Sequence, residues 1–309
     1  MIPKPPPREG NLGFLYLPPF RVQGFSVAGE NTCVMIPELD VCFDVGQCLR
    51  ASLAAKFMCI SHGHMDHIGG LAYWCSQRNF QGMGPGTIVC DKRIESDIRG
   101  MMDGFVQLER QKTPYELLTI EPGDEIEIKN NVVLRAYHTE HTCPSIGYAI
   151  VEKRTKLKTE LQGLPQDKLR ELKERGEEIV NHLEVPLIAY LGDTLPGPHL
   201  LADDVRKAKI IVTECTFFEP EHKQRAKVGM HLHVDDLAEW RQVTECEHMV
   251  VTHISRRTHI PYARSRLNEA LGEKLSETTH LLMDHRNNRE RYEHQEAEAA
   301  RRERELQAR

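Results

Sequence analysis

The sequence predicts an α/β protein. Three observations carry that reading: short β-branched runs recur along the chain, helical stretches separate some of them, and polar residues gather where the runs end. Val41-Cys42-Phe43 ends at Asp44, and the run at 57–60 ends in a histidine cluster. Thr87-Ile88-Val89-Cys90 ends at Asp91, and the run at 132–137 ends at His138 and His141. The run at 186–191 ends at Gly192-Asp193, Ile210-Ile211-Val212 at Thr213-Glu214, and Met249-Val250-Val251 at Thr252-His253. Residues 92–111, 234–245 and 262–275 read as helices. Sites in such folds are built at strand ends, so the polar residues there are the functional candidates.

The 309 residues and 40% hydrophobic content suffice for one large domain. Pro3, Pro5, Pro6 and Pro7 mark residues 1–12 as a flexible lead-in. The domain is expected over 13–283, and the Arg/Glu-rich residues 284–309 read as a solvated helix or tail without a core face. Residues 152–184 are strongly charged, with Leu157, Leu161, Leu169 and Leu172 as a thin apolar stripe, and read as a protruding helical insertion. Gly82-Met83-Gly84-Pro85-Gly86 lacks phosphate-binding spacing and reads as a loop. A formal net charge of −6 argues against a general nucleic-acid binder but leaves local basic patches open. Nine cysteines without paired spacing, and no secretory signal, lead us to expect an intracellular, cytoplasmic protein. No apolar run approaches the ~18 residues of a membrane span.

Ser61-His62-Gly63-His64-Met65-Asp66-His67 is the most informative stretch. Imidazole and carboxylate together suit zinc, manganese or iron. A strand running into a tight turn can point His62 and His64 to one side, while Asp66 and His67 turn toward a second metal. That pattern is half of a two-metal hydrolytic site. The remaining ligands must come from other strand ends. His141, Asp193 and His253 are the candidates there, and a carboxylate such as Asp193 can bridge two cations ~3.5–4 Å apart. His138, three residues before His141, is its rival.

The set Asp44, His62-x-His64-x-Asp66-His67, His141, Asp193 and His253 resembles the metallo-β-lactamase superfamily over residues ~20 to ~283. Within it the chain most resembles ribonuclease Z in its short, plant-type form. The features that carry this are Pro144-Ser145-x-Gly147-Tyr148 after His141, Glu214-Cys215-Thr216-Phe217, Met230-His231-Leu232-His233 and Thr252-His253-Ile254-Ser255-x-Arg257. Segment 155–164 also resembles the plant-type proteins.

The resemblance implies an αββα sandwich of two mixed sheets flanked by helices. It implies an endoribonuclease that cleaves 3′ trailers from precursor tRNA by metal-hydroxide attack, and a homodimer. His62, His64 and His141 would hold one Zn²⁺, Asp66, His67 and His253 a second, and Asp193 would bridge them; Mn²⁺ or Fe²⁺ fits the same donors. Asp44 would hydrogen-bond a ligand histidine or the bridging water. Asp66 could also take the water's proton, while His231, oriented by Glu214, would protonate the leaving oxygen. His233 is the rival to His231. Two divalent cations against Asp66, Asp193 and hydroxide leave net positive charge, which suits a phosphodiester anion.

The insertion at 152–184 stands where ribonuclease Z carries its tRNA-clamping arm. Lys153, Arg154, Lys156 and Lys158 could hold phosphates there, as could Arg256 and Arg257 beside His253. Carboxylates such as Glu160 and Glu171 could instead pair with them. A fold-sharing hydrolase of a small phosphodiester, thioester or cyclic nucleotide is the alternative.

Overall fold

The computed structural model describes residues 3–8 and 10–307. The first sheet is built from β1 (Gly13–Leu17), β2 (Phe20–Ala28), β3 (Asn31–Ile36), β4 (Val41–Phe43), β5 (Phe57–Cys59), β6 (Gly86–Asp91) and β7 (Tyr115–Ile120), side by side in chain order. Its β1–β4 half is antiparallel and its β4–β7 half parallel. The second sheet comprises β8 (Glu125–Lys129), β9 (Val132–His138), β10 (Ile146–Leu157), β11 (Val180–Tyr190), β12 (Ile210–Glu214) and β13 (His248–Thr252). The short β14 (Ile254–Ser255) crosses to β2, and β15 (Thr279–Leu281) closes the second sheet beside β13. This sheet too is antiparallel in its first half and parallel from β11 onward.

The period-2 alternation of strands decides which side chains meet. Val41 and Phe43 face the opposite sheet while Cys42 faces out; Val212 faces in and Ile211 faces out. Phe43 stacks on Tyr190 across the two sheets, ring centroids 4.5 Å apart. Over the outer face of the first sheet lie α1 (Met65–Ile68), α2 (Leu71–Phe80) and α3 (Glu95–Glu109), which bury Trp74 and Ile98 against it. The short α4 (Gln166–Glu174) lies elsewhere and buries no side chain. The outer face of the second sheet is covered by α5 (Asp203–Arg206), α7 (Val234–Arg241) and α8 (Ile260–Ser276), through Val205, Leu237, Trp240 and Leu267; α6 (Lys223–Gly229) precedes α7. The result is an αββα sandwich of two mixed sheets.

Three expectations need correction. Residues 152–184 are a two-stranded ribbon at the base that carries helix only at the tip, not a helical insertion throughout. Strands β10 and β11 run on together, pairing Lys153 with Glu184 and Leu157 with Val180, and only nine residues at the tip form α4. A ribbon solvated on both faces has no apolar alternation to betray it. The C-terminal segment is α9 (His285–Gln307), and it does have a docking face: Tyr292 is buried with its ring edge-on to Phe14, 5.4 Å away. Its contact residues are too few to register as a stripe. The described part of the lead-in is anchored, with Pro3 buried and Lys4 paired to Glu38 at 3.0 Å. The same expectations at residues 1, 2, 9, 308 and 309 lie outside the described residues.

No helix among the described residues is long and apolar enough to cross a membrane.

Candidate metal centre

The parallel halves of both sheets end at one rim. There β4 ends beside Asp44, β5 delivers Ser61 and His62, β11 delivers Asp193, β12 ends at Glu214 and β13 delivers His253. His64 starts α1, and Asp66 and His67 form its first turn. His141 follows β9. Asp44 and His253 both adopt left-handed backbone, φ 58° and 56°, a region sparsely used by residues with a side chain. Gly192 has φ 62°, and a Cβ there would sit 2.8 Å from Ser61 Cβ, so the approach to Asp193 requires glycine.

The fold brings together His62, His64, His141 and Asp193 in one group and Asp66, His67 and His253 in another, each with ligand atoms within 4.8 Å of one another. Asp193 Oδ2 lies between them: 3.3 Å from His67 Nε2 and from His253 Nε2, 3.8 Å from His62 Nε2 and 4.0 Å from His141 Nε2. Asp66 Oδ2 is 3.3 Å from His253 Nε2. His231 borders the cluster, with Nδ1 3.9 Å from Asp193 Oδ2.

Hydrogen bonds at the back of the rings fix what the front presents. Asp44 is fully buried and accepts from Ser61 N (2.7 Å), Ser61 Oγ (2.7 Å), Tyr190 Oη (2.5 Å) and His67 Nδ1 (2.8 Å). Ser61 Oγ spends its proton on Asp44, so it accepts from His62 Nδ1 at 3.0 Å and leaves His62 Nε2 with a lone pair. His141 Nδ1 donates to Met230 O at 3.0 Å, which does the same for His141 Nε2. Thr216 Oγ1 donates to Glu214 Oε2 (2.8 Å) and accepts from His253 Nδ1 (3.0 Å), freeing His253 Nε2 likewise. His64 turns Nδ1 inward, 3.1 Å from His62 Nε2 and 3.2 Å from His141 Nε2.

Lone pairs converging at such distances repel unless a cation or a proton sits among them. Asp193 Oδ1 is buried with no hydrogen-bond partner among the described residues, which leaves it free as a ligand oxygen. The donor set therefore fits two divalent cations with Asp193 between them. Protonation energetics agree. Burial and the neighbouring His67 charge push His62 well below the usual imidazole range. Burial also opposes charge on His67, but Asp193 and Asp44 outweigh it and raise its pKa well above the ordinary value. A cation entering the site displaces that proton.

Glu214 is the second hub. It accepts from His231 Nδ1 (3.0 Å), Leu232 N (3.0 Å), Thr194 N (3.3 Å) and Thr216 N (3.0 Å). Burial alone would lower the His231 pKa; Glu214 and then Asp193 outweigh it and lift it to about 9. His233 lies outside this arrangement. It caps α7, accepting from Asp235 N at 3.2 Å while Asp236 accepts from its own N–H. His138 is exposed at the end of β9 and joins no metal group.

Most of the basic candidates are already matched with carboxylates. Lys153 pairs with Glu125, Arg154 with Glu152 and Lys158 with Glu178, while Lys156 has no ion pair among the described residues. Arg256 pairs with Glu30; exposed Arg257 has no ion pair among the described residues.

Sequence reasoning assigned no role to Ser61, Tyr190, Thr216 or the Met230 carbonyl. Ser61 and Thr216 stood inside the quoted motifs, and their hydroxyls were the available signal.

Comparison with known proteins places this rim in a family. A family model described as anti-Pycsar protein Apyc1 matches residues 44–185. The chloroplastic tRNase Z TRZ2 of Arabidopsis thaliana is 32% identical over 252 residues, which cover 79% of this chain and 70% of that protein. tRNase Z TRZ1 of the same plant is 30% identical over 243 residues, covering 77% and 86%. This chain belongs to the ribonuclease Z family. Among solved structures, the short form of human tRNase Z superposes with a TM-score of 0.54 at 17% identity, covering 80% of this chain and 93% of that one. The metallo-β-lactamase fold protein YhfI from Bacillus subtilis superposes with a TM-score of 0.57 at 12% identity, covering 83% and 93%. This family member therefore has the metallo-β-lactamase fold and is a metal-dependent hydrolase.

Proposed function

We propose that the chain is a dinuclear metal-dependent endoribonuclease that removes 3′ trailers from precursor tRNA, with Zn²⁺ as the resident metal. The observation that carries the reading is the pairing of Glu214 with His231 beside Asp193, a proton donor set at the edge of a two-cation ligand cluster. Its relatives are named tRNase Z, and their reaction supplies the substrate class.

His62, His64 and His141 would hold one cation and Asp66, His67 and His253 the other, with Asp193 a ligand available to both. When bound, the cations supply Lewis acidity and make water acidic enough to ionise near neutral pH. Asp66 accepts a proton from the attacking water; its carboxylate is kept ionised, because His253 and His67 outweigh the effect of burial. Glu214 favours the protonated form of His231 and holds its Nδ1, so Nε2 is the atom placed to give a proton to the leaving oxygen. Thr216 ties Glu214 to His253, so the proton donor and one metal ligand are oriented by the same carboxylate. Lys156 and Arg257 contact substrate phosphates. The enzyme works as a homodimer in the cytoplasm.

A second reading, hydrolysis of a small phosphodiester, is favoured by the arm: Lys153, Arg154 and Lys158 are already matched with carboxylates. One experiment separates the two. The zinc- or manganese-loaded protein is incubated with a precursor tRNA bearing a 3′ trailer and, separately, with bis(p-nitrophenyl) phosphate. Cleavage next to the discriminator base supports the first reading. Hydrolysis of the small ester without any RNA cleavage replaces it with the second.

A further inference from the structure

A cavity of about 300 Å³ opens beside the ligand cluster on the side of His64. Gly63 and His64 form the wall it shares with the cluster. The rest is largely apolar, with Met65, Ile94, Ile98 and Met101 prominent, and Met65 is 76% exposed. Two larger cavities flank α9, and none of the cluster residues lines them.

A phosphodiester held over the cations carries a substituent on each side of phosphorus, and each must lie against something. An apolar recess one residue from a metal ligand suits a flat, weakly polar group attached close to the phosphate. Its volume is at the small end for ligand pockets and matches a single ring system, not a folded stem. Methionine sulfurs and branched carbons make favourable contacts with aromatic faces. One polar side chain joins them at the rim. Asp97, exposed in the first turn of α3, has no hydrogen bond or ion pair among the described residues. An ionised carboxylate can only accept hydrogen bonds, so it favours an occupant edge rich in N–H groups.

From these observations we infer that the cavity receives the base of one nucleotide flanking the scissile phosphate, and that Asp97 selects bases bearing an exocyclic amino group. The inference rests on the RNA-cleaving reading above and names the recognition that reading lacks. Met101 and Asp97 act as specificity-determining residues; neither touches the reacting atoms.

The test measures kcat and KM on trailer-bearing precursor tRNAs with each base, and with an abasic site, at each of the two nucleotides flanking the cut. At one of the two positions the abasic substrate should raise KM about tenfold for the unaltered enzyme. Met101→Ala should raise KM for the intact substrate far more than it lowers kcat, and add little further loss on the abasic one. Asp97→Ala, an exposed change that spares the core and removes the acceptor, should erase the preference for adenine, cytosine or guanine over uracil at that position. The inference is overturned if the enzyme cuts precursor tRNA yet is indifferent to base removal at both positions. Equal losses from Met101→Ala on intact and abasic substrates would also overturn it. Failure of the parent reading looks different: the small ester is hydrolysed, no precursor tRNA is cut, and both conclusions fall together.

Discussion

His67 and His253 point their Nε2 atoms at each other across 3.3 Å, with Asp193 Oδ2 3.3 Å from each. Behind them, His67 Nδ1 is held by Asp44 and His253 Nδ1 by Thr216. Two imidazoles so oriented are poised for a shared cation, and metal binding should stabilise the fold. At a free metal concentration 100 times Kd the gain is about 2.7 kcal/mol. Chelation should therefore lower Tm by several degrees in a thermal-shift measurement, and zinc should restore it. Asp193→Asn should abolish most of the restoration. A melting curve indifferent to chelator and zinc would contradict the cluster's assignment.

Asp44 accepts four hydrogen bonds at once, three of which orient the metal-facing segment directly through Ser61 and His67. Asp44→Asn replaces one acceptor oxygen by a donor, so it faces a donor already in place. Metal affinity should fall about 10–100-fold, the usual cost of losing such a partner. Competition with a fluorescent zinc chelator measures this. Unchanged affinity would mean that the ring orientations are fixed by packing alone.

His231 and His233 are two residues apart and do different work. His231→Ala should lower kcat about 10²–10⁴-fold with metal content retained, the range for a lost general acid. His233→Ala removes a helix cap and should cost about 1 kcal/mol of stability with kcat nearly intact. Metal analysis beside steady-state kinetics on both variants decides it. Loss of metal from His231→Ala would make that residue a ligand instead.

The residues that converge on the rim were legible because histidine and aspartate are conspicuous at the ends of apolar runs. Asp44 and His62 follow strands that contain neither type, and Asp193 and His253 follow the apolar runs at 186–191 and 249–251. Their partners were not legible. Tyr190 looks like the last apolar residue of a strand, and only folding brings its hydroxyl to Asp44, 146 positions away. The N-terminal strands β1 and β3 were missed because they are buried along their whole length and show no alternation. The arm was misread for the opposite reason: both faces of the ribbon are wet, so charge hides the strand period.

Among the four basic residues at 153–158, Lys156 alone lacks an ion pair among the described residues, and Arg257 shares that freedom a few residues after the ligand candidate His253. A cation already matched with a carboxylate gains less from a phosphate than a free one. Lys156→Ala and Arg257→Ala should each weaken precursor-tRNA binding more than Lys153→Ala does. Each should also reduce the salt dependence of log Kd by close to one phosphate contact. Filter binding across a salt series reads this out, and equal slopes for all variants would remove the arm from the interface.

Away from the centre, His280 and His248 sit side by side on β15 and β13, with ring nitrogens 3.3 Å apart. Burial, reinforced by the positive field of Arg291, lowers His280 to about 2 and His248 to about 4. In the unfolded chain both return to about 6.5. Between pH 6.5 and 4 the unfolded state therefore binds protons that the folded state refuses, so stability falls as the pH drops through that window. For one such group the loss at pH 5 relative to pH 7 is about 1–2 kcal/mol. His280→Leu removes one of the titrating groups. Urea denaturation at pH 7 and pH 5 should accordingly show a smaller acid penalty for His280→Leu than for the unaltered protein. Identical penalties would mean that His280 takes up its proton without unfolding.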